Sequence, residues 1–137
     1  MAATVPINAT LALSQPVRFD RLKERGIRLR QPIIPPQFRA HWSVDLRDCN
    51  VAPLEDSQVW IIGRTVNLYE TLGHVKRVTI KDHWNAVVIL RNESEGTIFE
   101  SRKGLSLSPD SETLTMRDED DTYSVRFHRC HFRRGPR

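Results

Sequence analysis

The stretch that decides the fold is GHVKRVTIKDHWNAVVIL, residues 73–90. Its first part, Val75 to Ile80, places valines, a threonine and an isoleucine among basic residues, and its second part, Ala86 to Leu90, is a short apolar run. Short segments rich in β-branched residues and bounded by turn residues are typical of strands. The polar residues 81–85 between the two segments predict a turn. We therefore expect a hairpin at the centre of the chain.

More strands are predicted on both sides of this hairpin. In residues 40–47 the apolar side chains Trp42, Val44 and Leu46 alternate with polar ones, which indicates a half-buried strand. Residues 59–68 predict a second strand with a bulge or bend at Gly63. The remaining candidates are Thr97–Glu100, Leu105–Leu107, and a final hairpin of Glu112–Arg117 and Thr122–Phe132 turned by residues 118–121.

Many short strands with few helical periods indicate a mainly β fold. We expect a single small antiparallel barrel or sandwich, with the SH3-like barrel among the alternatives. The length of 137 residues fits one domain. The predicted organisation is an arm at residues 1–39, a β domain at residues 40–132 and a basic tail at residues 133–137.

The predicted arm is extended and interrupted by proline. Residues 1–17 are small and apolar, and one short helix is plausible over residues 18–25, ended by Gly26. Residues 31–38, QPIIPPQF, contain three prolines and predict an extended spacer. Ile33 and Ile34 in this spacer can dock on the surface of the domain.

Charge is distributed unevenly along the chain. The net charge is +4, with 21 basic and 17 acidic residues. Residues 18–39 hold seven basic residues against two acids, residues 91–121 hold nine acids against four bases, and five arginines without an acid follow residue 121. Such asymmetry fits an acidic partner, an intramolecular charge match or a device for solubility.

Targeting signals are weak in this sequence. The N-terminal segment lacks a basic region before its apolar residues, and no run approaches the ~18 apolar residues of a membrane helix. Two cysteines, Cys49 and Cys130, without a secretory leader predict free thiols in a reducing compartment. We expect a cytoplasmic or nuclear protein that makes no contact with a membrane.

Gly73 is followed by hydrophobic residues at alternate positions and then, after a short polar turn, by Val87, Val88 and Ile89. This pattern resembles the KOW motif of SH3-like barrels found in ribosomal proteins and transcription-elongation factors. The resemblance covers residues 73–90, and the second glycine usual upstream in the motif is absent. It implies that the glycine permits a tight turn between strands, that the valines fill a small barrel, and that exposed basic positions face RNA or a protein partner.

The central hairpin supplies four candidate nucleic-acid-binding residues, Lys76, Arg77, Lys81 and Trp84. Basic side chains neutralise phosphates, and an exposed aromatic ring can stack on a base. The alternative is that Trp84 faces the core and that the basic residues are ordinary solvated positions on strands.

The C-terminal segment supplies four more candidates, Arg126, Arg129, Arg133 and Arg134. Arginine forks suit phosphate better than lysine does. The alternative is that these arginines only balance the acidic residues 118–121.

The sequence contains no strong pattern for a metal site or for catalysis. His128, Cys130 and His131 cluster, and Cys49 could join them, but a strand would point His131 to the other side. His41, Ser43 and Asp45 lie on one strand face without a nucleophile turn or a metal-binding HExxH segment. We therefore predict no metal site, no cofactor and no enzymatic activity.

Two functions follow as hypotheses. The first is a non-enzymatic nucleic-acid-binding domain, with RNA favoured. The second is a protein-interaction or assembly module, such as a small viral or complex subunit, which associates through its N-terminal arm and exposed strand edges. An acidic protein surface and a second copy of the chain are the partners that the second hypothesis implies.

Overall fold

Eight antiparallel strands close into a barrel in the computed structural model, which describes residues 26–50, 56–118 and 122–131. The order around the ring is β5-β4-β3-β2-β9-β8-β7-β6, and β6 pairs again with β5. β1 adds to β5 outside the ring. The strands are β1 (Ile27–Arg28), β2 (Ala40–Ser43), β3 (Gln58–Ile62), β4 (Thr65–Leu68), β5 (Thr71–Ile80), β6 (Asn85–Ser94), β7 (Thr97–Leu107), β8 (Thr113–Arg117) and β9 (Ser124–Arg129).

The predicted fold class, mainly β with a single small antiparallel barrel or sandwich, is confirmed, and of these two alternatives the structure is the barrel. Two short 3₁₀ helices accompany the strands, the first at Pro36–Phe38 and the second at Leu46–Asn50. Among the described residues, no helix has the length and the apolar content needed to cross a membrane.

The predicted central hairpin is formed by β5 and β6. Its register runs from Leu72↔Glu93 to Ile80↔Ala86, and the connection is the predicted polar turn. Asp82 stabilises this turn because its Oδ1 accepts hydrogen bonds from the Trp84 backbone N–H at 2.9 Å and from the Asn85 side chain at 3.0 Å. Because these contacts are local, the hairpin could be predicted from the sequence.

A β-bulge in β5 changes the direction of its basic residues. Val75 pairs with Leu90 and Arg77 pairs with Ile89, so Lys76 is an extra residue of β5 without its own partner on β6. Val75 and Val78 are buried on the inside of the barrel, and Lys76 and Arg77 are both exposed. Both basic side chains therefore lie on the outside of the barrel.

The core fills the inside of the barrel and includes part of the predicted arm. Ile34 and Phe38 are 0% exposed and belong to the same apolar cluster as the inward residues of the strands. Trp42 joins them, and its Nε1–H donates to the Phe38 carbonyl at 3.0 Å. The spacer before β2 therefore contributes to the core, whereas the sequence predicted only that Ile33 and Ile34 dock on the surface.

Gly73 lies inside β5 and packs closely between its two neighbouring strands. A Cβ at this position would lie 2.9 Å from Asn92 Oδ1 and 3.2 Å from the Val66 carbonyl oxygen. Glycine avoids these close contacts inside the strand, whereas the KOW resemblance implied a tight turn at this position.

The strand predicted over residues 40–47 is shorter than expected. β2 ends at Ser43, because the chain turns into the second 3₁₀ helix. The helix lies over the outer face of β2 and β3, where the Gln58 side chain donates to the Asp48 carbonyl. Val44 and Leu46 are consequently exposed, so the prediction that they lie on the apolar face with Trp42 was wrong.

For two other regions, the number of strands differs from the prediction. Residues 59–68 form two antiparallel strands, because Gly63 and Arg64 make a turn between the paired Ile62 and Thr65. The two segments predicted at 97–100 and 105–107 are parts of β7. The predicted helix at 18–25, the arm at 1–17, the tail at 133–137 and most of the turn at 118–121 lie outside the described residues.

Cys49 and Cys130 form a disulfide, with a Cα–Cα distance of 5.6 Å. The prediction of two free thiols was therefore wrong. The sequence offered no signal for this bond, because the cysteines are 81 residues apart and meet only when β9 pairs with β2. The disulfide removes the argument that led from free thiols to a reducing compartment.

Candidate nucleic-acid interface

The register of the barrel places outward side chains of neighbouring strands in rows. Successive residues of a strand point to opposite faces, so paired residues on adjacent strands share a face. On β6, the inward residues Ala86, Val88 and Leu90 belong to the core. Val87 and Ile89 therefore point outward, and each marks one row across the outside of the barrel.

The first row crosses β5, β6 and β7. Arg77 pairs with Ile89, and Ile89 pairs with Arg102. Since adjacent strands lie about 4.8 Å apart, the two arginine Cα atoms are about 10 Å apart, with the isoleucine between them. Arg77 is exposed and Arg102 is half-buried.

The second row is longer and begins outside the ring. Arg28 of β1 pairs with Thr79, and the row continues through Val87 and Gly104 to Arg117 of β8. It therefore carries two arginines, Arg28 on β1 and Arg117 on β8, and it ends at Ser124 of β9. Gly104 and Thr79 in the middle of the row have no side chain or a short one, so the surface there projects less than at the arginines.

The third row lies next to the turn of the central hairpin. It runs from Asn85 through Ser106 and Thr115 to Arg126 of β9, which is exposed. The Ser106 hydroxyl donates to Asn85 Oδ1 at 2.9 Å. Lys81 joins the end of this row, because its backbone N–H donates to the Asn85 carbonyl.

We call the five arginines of these rows the arginine band; they are Arg28, Arg77, Arg102, Arg117 and Arg126. The band crosses six strands from β1 to β9, which is about 24 Å along the barrel surface at the usual strand spacing. None of the described residues that make up the three rows is acidic. A surface of this length and sign can contact several successive phosphates.

Part of the band surrounds an open cleft of about 220 Å³. Three band arginines line it, together with Val87 and Ile89, whose side chains are apolar, and Thr79. The full lining is Gly26, Arg28, Arg77, Thr79, Val87, Ile89 and Arg102.

The other residues that the hairpin predicted occupy different surroundings. Lys76 Nζ lies 3.5 Å from Glu100 Oε2 in an exposed ion pair, so its charge is matched by a neighbour. Lys81 is exposed at the end of β5. Trp84 is 42% exposed, and its ring meets the His83 ring edge to face at 5.1 Å. The alternative that Trp84 faces the core is therefore wrong.

Arg129 is engaged in structural contacts. Its guanidinium carbon lies 4.4 Å from the centroid of the Trp42 ring, its Nε donates to the Ser111 carbonyl, and its Nη2 donates to the Gln37 carbonyl, both at 2.9 Å. The Nε and Nη2 donors of Arg129 are therefore already hydrogen-bonded and are not open to a phosphate group. Of the other C-terminal candidates, Arg126 belongs to the band, and Arg133 and Arg134 lie outside the described residues.

The polar residues weighed for catalysis make ordinary structural contacts. The Ser43 hydroxyl donates to the Asp45 carbonyl at 2.6 Å. His41 Nε2 lies 2.8 Å from Gln58 Oε1, and the His41 ring stacks on Trp60 at 4.3 Å. Both side chains are therefore engaged with other residues of the barrel.

The residues weighed for zinc are also used elsewhere. Cys49 and Cys130 are bonded to each other, and His131 Nε2 lies 2.5 Å from Glu112 Oε1. Within residues 26–50, 56–118 and 122–131, no group of three histidine, cysteine, aspartate or glutamate side chains is placed to hold a metal ion.

Sequence reasoning found Arg77 and Arg126 but missed Arg28, Arg102 and Arg117. These three lie on three different strands, in segments that the sequence assigned to the arm, to an acid-rich region and to a final hairpin. Only the pairing register brings them to one surface.

Comparison with known proteins adds no relative. No family model, no curated protein and no solved structure gives a significant match to this chain. The resemblance of residues 73–90 to the KOW motif therefore remains a prediction that rests on those residues alone.

Proposed function

We propose that this chain is a non-enzymatic nucleic-acid-binding domain, with RNA as the favoured ligand, and that it binds through the arginine band. The observation that carries the proposal is the alignment of five arginines across the outside of the barrel, in rows whose described residues include no acid. Guanidinium groups bind phosphate oxygens bidentately, and phosphate contacts dominate the affinity of nucleic-acid binding.

The exposed Trp84 supports a single-stranded ligand. It stands at the turn of the central hairpin, next to Asn85 in the third row of the band. A base of a single strand can stack on such a ring, whereas the bases of a duplex are stacked on each other. RNA is favoured because specific recognition of RNA mostly targets unpaired bases.

The test is titration of a fluorescein-labelled single-stranded RNA with the full chain, followed by anisotropy at several salt concentrations. The affinity should fall steeply with salt, and Arg77→Gln with Arg126→Gln should weaken binding and reduce the salt slope by about 0.7 for each phosphate that is no longer neutralised. Arg47→Gln is the matched control, because Arg47 is exposed, lies outside the band and pairs with Asp45.

A second variant separates stacking from charge. Trp84→Ala should weaken binding of single-stranded RNA by about 1–3 kcal/mol and leave the salt slope unchanged, with little effect on a duplex. Absence of any anisotropy change at low salt would remove the proposal, and so would an equal loss of affinity in the Arg47→Gln control.

The second candidate, a protein-interaction or assembly module, is favoured by one observation on β7. All of β7 pairs with β6, but only Gly104–Leu107 also pair with β8. Within the described chain, residues 97–103 therefore have no strand on their second edge, and Ile98 and Phe99 there are exposed. An extended segment of a partner can add to such an edge.

Light scattering of the purified chain tests this candidate. An assembly module should be an oligomer, and Ile98→Asp with Phe99→Asp should convert it to a monomer while the barrel remains folded. Truncation should stop before Gly26, because Ile34 and Phe38 belong to the core. A monomeric wild-type chain that still binds RNA would favour the first proposal.

A further inference from the structure

The cleft within the arginine band differs from the rest of the band because it is a concave site with a defined lining. Arg77 and Arg102 lie on the two strands that flank Ile89. Arg28 lies on β1, the strand that pairs with the other edge of β5. Three arginines therefore line one open cleft of about 220 Å³. The other band arginines, Arg117 and Arg126, are not part of this lining.

The chemistry of the lining fits a phosphate group. Each guanidinium carries five N–H donors in a planar fork, so one arginine can make several hydrogen bonds at the same time. The Thr79 hydroxyl adds a neutral donor beside them. Val87 and Ile89 add apolar surface to the lining, and charge-assisted hydrogen bonds are stronger in surroundings of low polarity.

Arg28 reaches the cleft from β1, a strand of two residues outside the ring. The pairing of β1 with β5 consists of Ile27↔Ile80 and Arg28↔Thr79. One further backbone hydrogen bond follows, from Leu29 N–H to the Val78 carbonyl at 2.8 Å. Ile27 is 66% exposed and adds little apolar burial, and Leu29, directly after β1, is only partly buried against the core. Docking of so short a strand contributes little free energy, and it is open to a shift by a ligand.

We infer that the cleft binds one phosphate group between Arg28, Arg77 and Arg102, and that phosphate binding and docking of β1 on β5 stabilise each other. The inference rests on the proposed function, because the phosphate would be one of the nucleic-acid backbone. A phosphate that contacts Arg28 binds the docked state better than the undocked one, so it must shift β1 towards β5.

The Leu29 amide reports docking directly. Its N–H is hydrogen-bonded to Val78 only when β1 lies on β5. Hydrogen exchange of this amide in the full chain, measured by NMR with and without inorganic phosphate, should slow about tenfold when phosphate is at ten times its apparent Kd. Sodium chloride at the same ionic strength should produce no such protection.

Variants assign the effect to the cleft. Arg77→Gln and Thr79→Val should each abolish or weaken the protection of Leu29, although neither residue is on β1. Arg47→Gln should retain the full effect, because Arg47 lies in the second 3₁₀ helix, away from the lining. Thr79→Val keeps the shape of the side chain, so it covers the case in which the arginine variant perturbs β5.

Two oligonucleotides distinguish the source of the phosphate. A short single strand with a 5′-phosphate should protect Leu29 more than the same strand with a 5′-hydroxyl if the cleft takes a terminal phosphate, and both should protect it equally if it takes a backbone phosphodiester. Either result supports a phosphate site.

The same measurements distinguish failure of the phosphate-site inference from failure of the proposed nucleic-acid binding. If phosphate and both oligonucleotides leave the exchange of Leu29 unchanged, or if Arg77→Gln retains the protection, the inference is overturned. Salt-dependent RNA binding that persists in that case would leave the arginine band as a diffuse surface and the proposed function intact.

Discussion

The guanidinium of Arg129 lies over the ring of Trp42, 4.4 Å from its centroid. The two residues are also paired across β2 and β9, where the ring of strands closes with two residue pairs. This is a short interface for a barrel seam. Side-chain contacts therefore supplement the backbone pairing there, and an arginine of the basic C-terminal segment supplies them.

Arg129→Met should destabilise the protein. It removes the cation–π contact and the two hydrogen bonds to the Ser111 and Gln37 carbonyls, which together should lower the free energy of unfolding by about 2–4 kcal/mol. Urea denaturation followed by tryptophan fluorescence measures the change. Arg126→Met, on the exposed side of β9, should shift the free energy by less than about 0.5 kcal/mol; equal losses in both variants would contradict this role.

The disulfide should strengthen the same seam. Cys130 N–H donates to the His41 carbonyl at 2.8 Å, so the bond to Cys49 fastens the chain where β9 leaves β2. Because 81 residues separate the cysteines, Cys49→Ser with Cys130→Ser should lower the free energy of unfolding by about 4 kcal/mol on loop-closure grounds. Denaturant titration of both proteins tests this.

Alkylation provides the control for the disulfide. Under denaturing conditions without reductant, the wild-type chain should gain no alkyl group in mass spectrometry, and it should gain two after reduction. Two alkylated thiols before reduction would show that the cysteines are free.

Gly73→Ala should destabilise the barrel by about 1–3 kcal/mol, because the new methyl group would lie too close to Asn92 Oδ1 and the Val66 carbonyl. Thermal unfolding measures the effect. The control is Gly96→Asn in the β6–β7 turn, where an added Cβ would meet no atom within 4 Å. Asparagine tolerates the φ of +79° at this position. Adding Asn92→Ala should recover part of the loss, and strict additivity would contradict the contact.

The pKa of Asp45 should lie well below its ordinary value. The side-chain hydrogen bond from Arg47, with the Arg47 backbone N–H as second donor, lowers it from 3.8 to about 2. Because the folded-state pKa is depressed, the stabilising contribution of this carboxylate is complete above pH 3.8 and is lost as pH falls through about 2. NMR titration of the Asp45 carboxyl carbon checks the pKa.

Arg47→Ala should raise the pKa of Asp45 part of the way back, because the backbone donor at residue 47 remains. A wild-type midpoint at 3.8 would show that the ion pair does not persist in solution.

The fold class was predictable because its strongest element is local. Val75 to Leu90 forms a hairpin whose strands adjoin in sequence, so β-branched residues and one polar turn specify it. The turn at Gly63 was missed because a glycine within an apolar run is compatible with a bulge or with a turn, and the pairing of Ile62 with Thr65 decides between them. Val44 and Leu46 were misplaced because the local alternation does not show that the strand ends at Ser43 and that Leu46 begins a 3₁₀ helix.

The candidate site divides in the same way. Arg77 and Arg126 could be selected from basic positions on predicted strands, and Trp84 from a predicted turn. Arg28 and Arg102 could not, because nothing in the sequence states that β1 docks on β5 or which residue of β7 pairs with Ile89. A slip of one residue in either pairing would turn these arginines to the other face of the sheet.

The sequence by itself determined that the chain is mainly β, that residues 75–90 form its central hairpin, and that basic residues are concentrated outside the acidic region. These properties depend on neighbours in the chain. The tertiary structure decided the closure of the ring, the disulfide, the structural use of Arg129 and the alignment of the arginine band. Those features join residues that are distant in sequence, and the pairing register and the packing of a shared core, rather than local preference, bring them together.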